Sequence, residues 1–189
     1  LEYMIEEYHR VLNPRYYEGK QWSVLMPPGA VETDFSYEFA SYFDYHARGS
    51  LYYAVITSVK NYGAATFYLD LAETPNGEWL DGGKNYKLHV PANVPAETFW
   101  SITAYEVSTR TLINNKYEVA DRSSRMDLAM NADGSVDIFI GPDKPKGDKE
   151  KNWIPTEAGR AWFPYFRLYS PKQAFLDRTW VLPDIEKAK

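Results

Sequence analysis

The sequence predicts a mainly β protein, an antiparallel sandwich or barrel preceded by a small helical segment. Three observations carry that prediction. After Gly63 the spacing of apolar residues changes from a period near 3.6 to a period of 2. Short alternating runs then follow one another, separated by Gly, Asn, Asp and Pro. Aromatic residues make up 16% of the chain, with sixteen Tyr and six Trp, which excludes a disordered segment and supplies rings for a large core.

The helical part comes first. In "LEYMIEEYHRVLN" the residues Leu1, Met4, Ile5, Tyr8, Val11 and Leu12 fall on one helical stripe, and Asn13-Pro14 ends it. A stripe that begins at the first residue without a capping signal suggests a piece of a longer chain. The stretch to Ala30 is irregular, with Pro27-Pro28-Gly29 as a breaker. From Asp34 to about Lys60 the helical spacing returns through Phe35, Phe39, Tyr42, Phe43 and His46, then Tyr52, Ile56 and Val59. Gly49 is expected to divide or kink it. The expected division is therefore a helical connecting segment over 1–62 and a β body over 63–189.

The strands of that body alternate in turn. "ATFYLDLA" sets Ala65, Phe67, Leu69 and Leu71 against Thr66, Tyr68 and Asp70. Asn76-Gly77 and Asp81-Gly82 are turn dipeptides, and Tyr86, Leu88 and Val90 point inward after them. "TFWSITAYE" sets Trp100, Ile102 and Ala104 against Ser101, Thr103 and Tyr105. Asp133-Gly134 makes a turn before Val136, Ile138 and Ile140. "WFPYFRLYS" sets Phe166 and Leu168 against Tyr165, Arg167 and Tyr169. Trp79, Trp100, Trp162 and Trp180 are expected as core or packing groups.

Most chemistry is excluded by what the chain lacks. A net charge of −5 gives no concentrated positive field for nucleic acid. Zero cysteines exclude disulfides, thiol catalysis and Cys metal sites. His9, His46 and His89 share no HxH or HxxxH spacing, so no metal site is expected, and no cofactor motif occurs. No apolar run is long enough to span a membrane as a helix. "NADGSVD" fails as a calcium loop, because setting Gly134 in the glycine slot puts Ala129 first and Ile140 last. "GPDKPKGDKEKNW" fails as a phosphate loop, since Gly147 follows Gly141 by six residues and Asp148 follows Gly147. Its lysines are nearly balanced by Asp143, Asp148 and Glu150, which reads as a solvated connection.

The blocks "FWSITAYEVSTRTLINN", "NADGSVDIFIG", "NWIPT", "FRLYSPK" and "TWVLPDIEK" together resemble the bacterial "domain of unknown function 1214" family over about Phe67 to Glu186. The resemblance implies a jelly-roll-like antiparallel β-sandwich in a bacterial protein, often exported to the periplasm or beyond. It also implies a preceding "domain of unknown function 1254" module in the same polypeptide, and no established reaction. Within it, the lysine stretch resembles a loop of variable length, and Asn152-Trp153-Ile154-Pro155 its fixed end, with the Trp ring pinning the loop. Arg110 and Asn114 fall in a family-like block and are expected to brace a turn.

One surface is a candidate site. If the strands share a sheet, Asp70, His89, Tyr105, Asp137, Arg167 and Tyr169 collect on its polar face with Thr66, Tyr68, Lys87, Ser101, Thr103 and Tyr165. Tyr hydroxyls, an Arg and a His could bind a small polar or anionic ligand. His89 could also act as a base oriented by Asp70 or Asp137, in a hydrolase whose site lies between this module and an upstream one. The plainer reading is a solvated or helix-covered face with ordinary Tyr–Arg packing. The apolar stripes of the helical segment suggest a homo-oligomer or contact with the upstream module.

Overall fold

Alternation sets which face of each strand turns inward, and two sheets result. The computed structural model describes residues 15–24, 36–54 and 66–188. Its strands are β1 (Ser23–Val24), β2 (Thr66–Asp70), β3 (Leu80–Asp81), β4 (Tyr86–Val90), β5 (Ala96–Glu106), β6 (Asp121–Ser123), β7 (Val136–Gly141), β8 (Trp153–Pro155), β9 (Ala161–Pro171) and β10 (Glu186–Lys187). The large sheet runs β1-β2-β9-β5-β6, and β3 pairs with β9 beyond the end of β2. The small sheet runs β10-β4-β7-β8.

The inward residues expected from the alternation meet in one cluster. Phe67 and Leu69 of β2, Trp100, Ile102 and Ala104 of β5, and Phe166 and Leu168 of β9 join Tyr86, Leu88 and Val90 of β4 and Val136, Ile138 and Ile140 of β7. The chain is thus a mainly β, two-sheet sandwich. Trp100 and Trp162 are buried in this core, and Trp180 packs against it.

The two long strands, β5 and β9, pair from Ala96–Pro171 to Glu106–Trp162 with a bulge between Ala96 and Phe99. Proline is unusual in a central strand, because it removes a ladder donor. Pro164 is accommodated because Ala104 opposite it turns its N–H to Ala120 O and its C=O to Ile113 N, away from β9. Pro164 then faces the gap between Tyr165, where β2 pairing ends, and Trp162, where β3 pairing begins.

One pair departs from the antiparallel expectation: β7 and β8 run parallel. Parallel neighbours need a crossover of about a dozen residues. Residues 142–152 supply it, which explains why the lysine stretch is long and exposed; its second half is a 3₁₀ helix, Gly147–Asn152. Asp133-Gly134 forms the expected turn, with Gly134 at φ 82° and its N–H bonded to Asn131 O.

The helical expectation between 34 and 60 needs correction where it can be tested. Residues 36–44 are not helical; Glu38 and Phe43 form a β-bridge, and Phe39 stacks on Tyr42. The helix runs Tyr45–Ala54, and Gly49 lies inside it without breaking it. Asp44 starts it, since its carboxylate accepts the Ala47 N–H at 2.9 Å and its carbonyl accepts the Arg48 N–H. The expected helix over Leu1–Leu12 lies outside the described residues, as do Phe35, Ile56 and Val59. Among the described residues no helix is long and apolar enough to cross a membrane.

Candidate functional site

Side chains at alternate positions of β2, β9 and β5 project from the large sheet on the side away from the core. Register sets Arg167 between Tyr68 of β2 and Ser101 of β5, with Tyr165 beside Asp70 and Thr103. The Arg167 guanidinium donates to Thr103 Oγ1 at 2.8 Å and to the Tyr105 hydroxyl at 2.7 Å. It also lies 5.2 Å from the Tyr68 ring centroid, 5.6 Å from Tyr105 and 5.4 Å from Tyr165. Each such cation–ring approach contributes about 0.5–2 kcal/mol depending on how dry it is. Among the described residues no carboxylate forms an ion pair with Arg167.

A second arginine completes this face. Arg110, in the left-handed region at φ 61° just after β5, folds back over the Phe163 ring at 4.3 Å and donates to the Tyr165 hydroxyl. Sequence reading placed Arg110 in a turn, and nothing in its spacing indicated that it reaches the Arg167 face. The asparagine that braces the neighbouring turn is Asn115 and not Asn114. Asn115 is buried, its side chain donating to Val119 O and Pro155 O and accepting from Tyr117 N; Asn114 is exposed.

The face is far from open. Phe163, Tyr165, Ser101, Thr103 and Asp70 are all buried, and Tyr165 and Phe163 form a small aromatic cluster with Ala72 and Val107. Tyr68, Tyr105 and Arg167 are half-buried and are its accessible members. Tyr169 lies at the far end, stacked on Phe99 at 3.8 Å, with Arg125 over the other ring of that pair, Phe99, at 3.8 Å.

The six candidate residues therefore do not form one site. Asp70, Tyr105, Arg167 and Tyr169 belong to the large sheet, whereas His89 and Asp137 stand opposite each other on β4 and β7 of the small sheet. Both groups follow the alternation of their strands, but the strands lie in different sheets. His89 Nδ1 and Asp137 Oδ1 are 2.8 Å apart, so the carboxylate beside His89 is that of Asp137. Asp133 is nearby: the Ser135 hydroxyl and backbone N–H hold its carboxyl below the usual range, with a smaller contribution from His89. Among the described residues no three His, Cys, Asp or Glu side chains are placed to hold a metal ion.

A family model described as Protein of unknown function (DUF1214) matches residues 65–173, more than half of the chain. The crystal structure of a protein from Vibrio parahaemolyticus resembles the whole chain (100% covered) at 17% identity with a TM-score of 0.62. At that identity the likeness is one of fold. The chain covers 42% of that protein, so it spans less than half of its length. A crystal structure of an uncharacterised protein from Burkholderia cenocepacia aligns with 85% of this chain and 50% of its own at 15% identity, with a TM-score of only 0.39. No curated protein matches the sequence.

Proposed function

The chain belongs to the family described as Protein of unknown function (DUF1214), and on that footing we propose that it is a binding module for a small anionic ligand, working as one part of a longer polypeptide. The observation that carries this reading is the Arg167 guanidinium, held by two hydroxyls and three rings with no ion-paired carboxylate among the described residues. Placing a guanidinium partly out of water without a counter-charge costs free energy that neutral partners only partly offset. A carboxylate or phosphate at its accessible edge would supply that charge and use the planar fork.

Titration calorimetry of the chain with inorganic phosphate, benzoate and succinate is the test. At least one is expected to bind, with Arg167→Met weakening it about 10- to 100-fold, the usual worth of hydrogen bonds to a charged group. Arg167→Lys is expected to restore only part of the loss, because it keeps the charge without the fork or the stacking. If none of the three anions binds, or if Arg167→Met binds as well as the parent, the reading fails.

The His89–Asp137 contact favours a second reading, in which the module contributes a general base to a hydrolytic site shared with an upstream module. Nδ1 bound to a carboxylate leaves Nε2 to take a proton from water or a hydroxyl. In the full-length protein, His89→Gln and Asp137→Asn would then both depress turnover by at least about 100-fold, in the range of general-base contributions. Turnover that survives His89→Gln unchanged would rule this base out.

A further inference from the structure

Away from both faces, three segments distant in sequence converge on a cavity of about 340 Å³. That volume is at the lower end of small-molecule sites, ~300–1,000 Å³. Thr74, Pro75 and Asn76 come from the turn after β2, Lys20 from the segment leading to β1, and Pro183 to Lys187 from the run into β10. The turn is closed by Gly77 N–H to Thr74 O, and the other two walls are tied together by the Gln21 N–H, which donates to Asp184 Oδ1 at 2.8 Å, and by Trp22 Nε1–H to Pro183 O at 2.8 Å.

The polar groups in the lining are only partly used. Asp184 spends one oxygen on Gln21, and neither Asp184 nor Lys20 takes part in an ion pair among the described residues. Burial pushes the Asp184 carboxyl above the usual range; the Gln21 N–H and the charges of Lys20 and Arg15 only partly offset it. Thr74 is buried, and its hydroxyl has no hydrogen-bond partner among the described residues. Lys187 is already engaged by Glu78 at 2.9 Å, which leaves Lys20 as the available cation of the lining. Pro75, Pro183 and Ile185 supply apolar wall.

We propose that this cavity is a second binding site, one that takes a small zwitterion of amino-acid type, its ammonium on Asp184 and its carboxylate on Lys20. A simple anion would meet Asp184 and Glu186, and a simple cation would meet Lys20. Only a ligand with both charges matches the lining. The apolar wall favours a short aliphatic side chain over a charged one.

Titration of the chain with L-valine, and with its two halves isobutylamine and isovalerate, tests the assignment. L-Valine is expected to bind, and each half at least about tenfold more weakly, the worth of one charge-assisted hydrogen bond. Lys20→Met and Asp184→Asn are each expected to cost a similar factor for L-valine. Asparagine keeps an oxygen for the Gln21 N–H, and the half-buried Lys20 makes no ion pair among the described residues, so both variants are expected to retain the fold. Arg167→Met is expected to leave L-valine binding unchanged, which separates this cavity from the anion site. No binding of L-valine at about 10 mM, where a site of ~1 mM affinity would be mostly filled, overturns the proposal, as does equal binding of isovalerate or of both cavity variants.

Discussion

Replacing Phe166 by alanine is expected to destabilise the protein by about 3–5 kcal/mol, the range for truncating a fully buried aromatic ring. Phe166 is 0% exposed and sits in β9 between Leu69 and Ile102 of the flanking strands. Its ring stacks on Trp100 at 5.5 Å and meets Trp22 edge-on at 6.3 Å, with Trp180 at 6.4 Å. One truncation therefore removes contacts with the residue preceding β1, with β5 and with the C-terminal segment together. Against a typical total stability of about 5–15 kcal/mol, that loss is a large fraction. Trp162→Phe is the matched control. Trp162 is also buried, but among the described residues its indole N–H has no partner, so the swap removes an orphan donor, keeps an aromatic ring, and is expected to cost less than Phe166→Ala. Urea unfolding followed by far-ultraviolet circular dichroism gives both numbers. A Phe166→Ala unfolding free energy within about 1 kcal/mol of the parent's would mean that the ring does not hold the sandwich together.

Phe166 was legible because a period of two says which side of its own strand a residue occupies. The same period says nothing about which sheet the strand joins. That is why the alternation puts Arg167, Tyr105 and Asp70 on the outer face of their strands but does not say that His89 and Asp137 belong to another sheet. Pairing of β2 and β5 with β9, and of β4 with β7, is a matter of long-range register that no local pattern encodes. Edge strands β1, β3 and β10 are two residues each, too short to show any alternation. The helix boundary was missed for a different reason. Aromatics four apart between Phe35 and Phe43 mimic a helical stripe, but the Asp44 carboxylate offers a cap that starts the helix only after them. Arg110 escaped notice because its role depends on a left-handed backbone at one position, and arginine carries no signal for it.

Asn152 is where loop and sheet meet, and Asn152→Ala is expected to cost about 3 kcal/mol, the sum of three half-buried hydrogen bonds at ~1 kcal/mol each. The residue is 2% exposed. Its Oδ1 accepts the Ala129 N–H at 2.9 Å, and its Nδ2 donates to Ala129 O at 2.8 Å and to Asp137 O at 2.9 Å. Only an amide offers both a donor and an acceptor in that geometry, so Asn152→Asp is expected to do no better than alanine. The adjoining anchor is weaker. Trp153 is buried and donates to Gly141 O at 2.9 Å, so Trp153→Phe gives up one hydrogen bond, about 1 kcal/mol, while keeping most of the ring. Because β8 has its own ties to β7 and to Asn115, whereas the crossover ends at Asn152, losing Asn152 should free the lysine stretch before the rest of the sandwich. Trypsin is the direct probe, since Lys146, Lys149 and Lys151 lie there, each followed by a residue other than proline. Asn152→Ala is expected to be cut after Lys146, Lys149 or Lys151 faster than Trp153→Phe under conditions where the far-ultraviolet spectrum is unchanged. Cleavage rates equal to the parent's in Asn152→Ala would show that the crossover is fixed by Trp153 alone.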